Sequence, residues 1–191
     1  MVVEGWTPSE RQPLSVLHDR FLAGLGDLVV TAPSSLALTR KPLEVVCRPP
    51  LPERLRLYMF NCTDHPSERK AGDYRIQLRL PGQQRRQRGE LHLDADSLVL
   101  LAGYVAEFDV FVLWDANAHA EFPYSKGIQV GAPTVHQAAI QGHSEQRRDV
   151  RGSGYSERVL AIRADRLVDG LRRREELTRI SLLDTEPRAS P

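Results

Sequence analysis

The sequence predicts an α/β fold: a curved or barrel-like, mostly antiparallel β-sheet flanked by N- and C-terminal helices. Three observations predict it. Arg54–Phe60 and Asp73–Leu80 alternate apolar with polar residues, as half-buried strands require. Residues 97–104 and 108–114 are continuous apolar runs joined by a short turn at Tyr104–Glu107. Apolar residues at helical spacing dominate only towards the two ends of the chain.

Taken in order, residues 7–25 read as a first helix. Thr7, Pro8 and Glu10 supply start signals, Leu14, Leu17, Phe21, Leu22 and Leu25 recur at helical spacing, and Gly26 ends it. The polar side of this helix carries Arg11, His18 and Arg20. A short helix is expected from Ser34 or Ser35 to Arg40, stopped by Pro42. The stiff Arg48–Pro52 stretch marks the boundary to the main body. After the two alternating strands, Pro81-Gly82 opens an arginine-rich loop from Gln83 to Gly89. The paired apolar strands follow, then a short strand at Gly127–Val130 and a short helix from Pro133 to Ile140. Residues 141–156 read as a polar loop, 157–162 as the last strand, and 164–174 as the closing helix. Three segments result: a helical one at 1–48, a β-rich body at 49–175, and a tail or linker to a further domain at 176–191.

The chain has 191 residues, 41% of them hydrophobic and 27% charged, which suits one medium domain with a substantial core. No apolar run approaches the ~20 residues of a membrane span, and the first residues lack the basic and apolar signature of a signal peptide. With only Cys47 and Cys62, no disulfide framework is expected, and the reading is cytoplasmic. Net charge is only +1, yet of 26 basic residues only Lys41, Lys70 and Lys126 are lysine. Arginine's planar fork suits phosphates and guanine edges, although a GC-rich genome produces the same bias.

Catalytic patterns are missing. Cys62 and His65 have a ligand-pair spacing that no second pair completes, so no metal is expected. Glu68-Arg69-Lys70 spells E-x-K, but in a turn bounded by proline and glycine. No nucleophile elbow, phosphate-binding loop or dinucleotide fingerprint occurs. The expectation is a binding module with no catalytic residues and no cofactor.

Three loops combine cations with small, apolar or aromatic residues: Asp64–Lys70, Glu121–Gly127 and Gln146–Gly154. Each is expected at a strand end, where a barrel would gather them on one rim. Arginine, lysine, serine and backbone amides are the groups that bind phosphates. Three solvated loops are the plainer alternative.

The stretch Arg54–Arg174 resembles the sulfur-binding domains of McrA-type, phosphorothioate-dependent (type IV) restriction endonucleases. The blocks that carry the likeness are Leu57–Asn61, Asp73–Gln77, Phe111–Asp115, Tyr124–Lys126 and Ile128–Val130. The resemblance implies a double-stranded DNA partner bearing a phosphorothioate linkage, and a C-terminal HNH nuclease domain in the full-length protein. It places the sulfur pocket at His65, Pro66, Arg69, Tyr124 and Gly127, with Ser67, Arg69 and Lys70 as alternative contacts in the first loop. A more distant arginine contact falls on Arg148 or Arg151. Arg75, Gln77, Ser125, Lys126 and Arg147 complete the expected DNA-binding set. Sulfur is larger and less well hydrated than the oxygen it replaces, so an apolar dent costs it little desolvation, and basic residues around the rim hold the charge. Discrimination of about 2 kcal/mol is the scale expected.

Three other readings remain. The chain reads methylated or unmodified bases, with Arg75 and Gln77 reaching base edges. It is a nuclease with a degenerate site at Glu68 and Lys70. Or it is a protein–protein adaptor.

Overall fold

The computed structural model describes residues 10–64, 73–150 and 155–185. Helix α1 (Leu14–Leu25) buries Leu17, Phe21 and Leu25 at the predicted spacing and ends at Gly26, where φ is 58°. It starts at Leu14, because Pro13 stands at its N-cap and residues 10–12 are not helical. His18 belongs to the buried face and not the polar one. It is fully buried, its Nδ1 donates to the Leu38 carbonyl at 2.8 Å, and burial lowers its pKa. Helix α2 (Ser35–Leu38) is capped by Ser34, whose hydroxyl accepts from the Ala37 N–H at 3.2 Å.

Strands β1 (Leu43–Val46), β2 (Arg54–Asn61), β3 (Thr63–Asp64), β4 (Tyr74–Leu78), β5 (Gly89–Glu90), β6 (Leu98–Val105), β7 (Val110–Trp114), β8 (Glu121–Phe122) and β9 (Lys126–Val130) follow. Then come helix α3 (Ala132–Gln141), strands β10 (His143–Val150) and β11 (Tyr155–Arg163), and helix α4 (Leu167–Thr185). Several spans differ from the sequence reading, among them β1, which lies in the segment read as helical. The expected polar loop at 141–156 contains strand β10, paired antiparallel with β11 from His143↔Ile162 to Val150↔Tyr155. The last helix continues past Arg174 to Thr185.

The sheet is open and not a barrel. Six strands lie in the order β1-β2-β6-β7-β11-β10, all antiparallel except the β2–β6 pair. A barrel is unnecessary because both faces are covered by other layers. On one face Leu17, Phe21, Leu167 and Leu171 of α1 and α4 pack against Leu57, Met59, Phe111 and Leu113. On the other, a three-stranded sheet β3-β4-β9 and helix α3 cover Tyr58, Leu101, Val112 and Trp114. Burial on both sides explains the unbroken apolar runs of β6 and β7, where alternation would leave a wet face. Residues 10–48 build into the same body: β1 is an edge strand of the large sheet, and α1 is part of its helical cover.

The small sheet approaches the large one closely at Gly103. A Cβ there would stand 2.7 Å from Ile76 Cγ2 and 2.8 Å from Cys62 Cβ, so glycine permits the contact. Cys62 itself is a core residue, and burial pushes its thiol pKa up.

Candidate nucleic-acid interface

In β4, Tyr74, Ile76 and Leu78 face the large sheet, leaving Arg75 and Gln77 on the outer face. The register sets Arg75 opposite Gln129 and Gln77 opposite Gly127, so these four positions share one outward surface. Gln77 Nε2 donates to the Ser125 hydroxyl at 2.8 Å, tying the loop before β9 to this surface. Ser125 holds a left-handed φ of 63°.

Lys126 has the opposite phase. It shares a strand face with the buried Ile128 and Val130, and its ammonium donates to His119 Nδ1 at 3.0 Å. His119 Nε2 in turn donates to the Glu157 carboxylate at 3.0 and 3.1 Å. Glu157, fully buried, also accepts from the Asp115 backbone N–H at 3.3 Å and pairs with Arg148 Nε at 3.6 Å. Arg148 donates to the Gln129 carbonyl. Arg148 is therefore occupied in joining β10 to β9, and Lys126 in a chain leading to a buried acid. Burial lowers the Lys126 pKa, opposed by Glu157 and assisted by Arg148.

Arg147 points to the other side of the large sheet. It alternates with Gln146 and Arg148, which face β9 and α3, and shares its phase with Glu145, which pairs with Arg173 of α4 at 2.6 Å. It is not grouped with Arg75 and Gln77.

The described ends flanking the first two candidate loops stand apart. Asp64 pairs with Tyr74 at the Tyr74–Val130 end of the small sheet, while Tyr124 and Ser125 precede Lys126 at the other end. Four residues of strand separate the two ends, ~13 Å at 3.3 Å per residue. Strand β10 runs alongside β9, with Gln146 at Gly131 and Arg148 at Gln129, so its Val150 end heads towards the Tyr124 end. The expected contacts His65, Pro66, Ser67, Arg69, Lys70 and Arg151 lie outside the described residues, as does the E-x-K stretch.

The structure surrounds Tyr124 with a loop that the sequence reading left unassigned. Arg85, Arg86 and Arg88 line a concavity with Pro123 and Tyr124, and the Arg79 guanidinium lies 4.8 Å from the Tyr124 ring centroid. Gln83, itself buried, holds this loop: its side chain accepts from Leu80 N–H at 3.1 Å and donates to the Gln87 carbonyl at 2.9 Å. Gly89 lets the Phe122 ring pack where a Cβ would stand 2.2 Å from it. Arg88 pairs with Glu121 at 3.4 Å, whereas Arg85 and Arg86 make no ion pair among the described residues. Also among the described residues, no group of three metal-binding side chains is found, and no helix is long and apolar enough to cross a membrane.

The fold and surface define a class: a three-layer α/β module whose small outer sheet ends in a cluster of arginines around a half-buried tyrosine. The family model for methylase-associated X1 matches residues 53–171, and the chain belongs to that family. The association with methylases links it to restriction-modification systems. No curated protein and no solved structure matches it. The matched span runs from the start of β2 into α4 and leaves out α1, α2 and β1.

Proposed function

We propose that the chain is a DNA-backbone reader for modification-dependent restriction, selecting a phosphorothioate over an ordinary phosphate. The observation that carries this reading is the Pro123–Tyr124 surface rimmed by Arg79, Arg85, Arg86 and Arg88 on a loop stapled by Gln83. A proline ring and a tyrosine face desolvate sulfur at little cost but strip water from oxygen, and the guanidinium rim holds the charge common to both. A stapled loop limits the ordering entropy spent on binding. Arg75, Gln77 and Ser125 extend the surface along the outer sheet for neighbouring phosphates. Cutting is left to an HNH nuclease domain coupled to the reader, and the chain itself is not an enzyme.

The test is anisotropy titration of a short duplex, with and without one Rp phosphorothioate, across a range of salt. Tyr124→Ala is expected to erase the preference for sulfur while retaining salt-dependent binding. Replacing Arg85 and Arg86 by glutamine is expected to lower the log–log salt slope by about 2, close to one per phosphate contact. A sulfur preference that survives Tyr124→Ala removes this surface from the account.

A second reading, base recognition, is favoured by one feature. Arg75 and Gln77 are alternate residues on an open strand face, with only Gly127 opposite Gln77. It predicts equal affinity for sulfur and oxygen duplexes, and strong dependence on base sequence.

A further inference from the structure

A second cationic site lies away from the arginine loop, where the segment leading into α1 meets β2, β3 and β4. A cleft of about 290 Å³ is lined by Arg11, Lys41, Asn61, Thr63, Arg75 and Gln77 over an apolar floor that includes Leu17 and Met59. Three cations and three neutral hydrogen-bonding side chains line it, and among the described residues no carboxylate does. Lys41 makes no ion pair among the described residues; its ammonium lies over the Phe60 ring, 3.3 Å from the centroid. Such a contact compensates little of the hydration lost on burial, which lowers the Lys41 pKa to about 7. The walls are fixed. Gln12 N–H donates to Asn61 Oδ1 at 2.8 Å and Asn61 Nδ2 donates to the Gln12 carbonyl at 2.9 Å, fastening the lead-in segment to β2. Helix α1 begins beside the cleft with neither a side-chain cap nor an acid in its first turn.

We infer that this cleft is a binding site for a single phosphoryl group, held between Arg11 and Lys41 with Thr63 and Arg75 on the far wall. An anion of this kind supplies the counter-charge that the described residues do not give Lys41, and the neutral donors take up its remaining oxygens. The phosphoryl group comes either from the backbone of bound DNA or from a free phosphate monoester. The inference does not depend on the sulfur reading, although Arg75 and Gln77 are shared by the two surfaces.

The experiment follows backbone amide shifts of the whole chain by NMR during titration with inorganic phosphate. The amides of Leu14, Leu17, Asn61 and Thr63 are expected to move together and to saturate. Lys41→Met is expected to abolish the response, and Arg11→Gln, at an exposed position, to weaken it by about tenfold. Arg179→Gln, on the far helix, is expected to leave it unchanged. Amides at the cleft that stay still, or an Arg11→Gln protein that binds phosphate as the wild type does, overturn the inference. Two further arms identify the source. Displacement of phosphate by a short unmodified duplex assigns it to the DNA backbone, and tighter binding of AMP than of phosphate without such displacement assigns it to a monoester. Saturable cleft shifts alongside equal affinity for sulfur and oxygen duplexes refute the sulfur reading alone.

Discussion

Glu157 holds together the strands beneath the interface, and its replacement tests that role. Glu157→Leu leaves three donors without their acceptor: His119 Nε2, the Asp115 N–H and Arg148 Nε. His119 and Asp115 are buried, so each orphaned donor costs ~1–3 kcal/mol. The Arg148 side chain is 26% exposed and turns towards water, adding little. The sum is a loss of about 3–5 kcal/mol, the usual scale for breaking a buried ionic cluster. Glu157→Gln keeps the shape and one acceptor for His119, and is expected to cost about half as much. Urea unfolding at neutral pH measures both. The same variants report on Lys126. Glu157 raises the Lys126 pKa against burial, so without its charge Lys126 is expected to deprotonate at lower pH than in wild type. A Glu157→Leu protein within about 1 kcal/mol of wild type would refute the reasoning, because the three donors would then have found other acceptors.

Gly103→Val forces a branched side chain against Ile76, Cys62 and Trp114, and is expected to cost ~1–3 kcal/mol by thermal unfolding; a neutral result would mean that the two sheets separate easily. Asp109 accepts from Arg20 Nε at 2.7 Å and from the Tyr104 hydroxyl at 2.6 Å, which lowers its pKa. Its pairing therefore contributes stability above the ordinary carboxylate pKa and loses it as pH falls through the depressed folded value. Asp109→Asn is expected to be about 1 kcal/mol less stable at neutral pH, since the pair is partly exposed, and the gap should close in strong acid; a gap that is constant with pH contradicts the pairing. Lys41 has a lowered pKa, so the cost of its folded charge is fully present below about 7 and relieved as pH rises towards 10.5. Lys41→Met is expected to stabilise the fold by ~2–3 kcal/mol in mild acid, a discounted linkage value, and by much less in alkali; equal effects at both would show that the lysine is solvated.

The parts legible in the sequence were those in which burial alone sets the pattern. The wholly apolar β7 and the helical spacing of Leu17, Phe21 and Leu25 need no knowledge of their partners. Strand β10 was not legible because its half-buried side chains are polar. Gln146 bonds the Gly131 N–H at 2.8 Å, Glu145 pairs with Arg173, and neither leaves an apolar alternation. The end of α4 was obscured similarly, with Leu177 its one buried apolar residue after Arg174 among those with described side chains. On the proposed surface, the shared outward phase of Arg75 and Gln77 was legible from strand alternation, whereas Tyr124 was singled out by its loop composition and by the family resemblance. The Lys126–His119–Glu157 chain was not, because Glu157 lies 38 positions after His119 and only the folded sheet joins them. The arginine loop was noticed but left unassigned, since its proximity to Tyr124 depends on Gln83 and on the β5–β8 pairing.

The most direct test of the central claim is the affinity ratio between two short duplexes, identical except for one Rp phosphorothioate, at near-physiological salt and pooled over several flanking sequences. An apolar dent with a guanidinium rim predicts a preference for the sulfur duplex of about 30-fold, corresponding to ~2 kcal/mol. Equal affinity for the two duplexes would contradict the claim and leave base recognition on the β4 face as the working account.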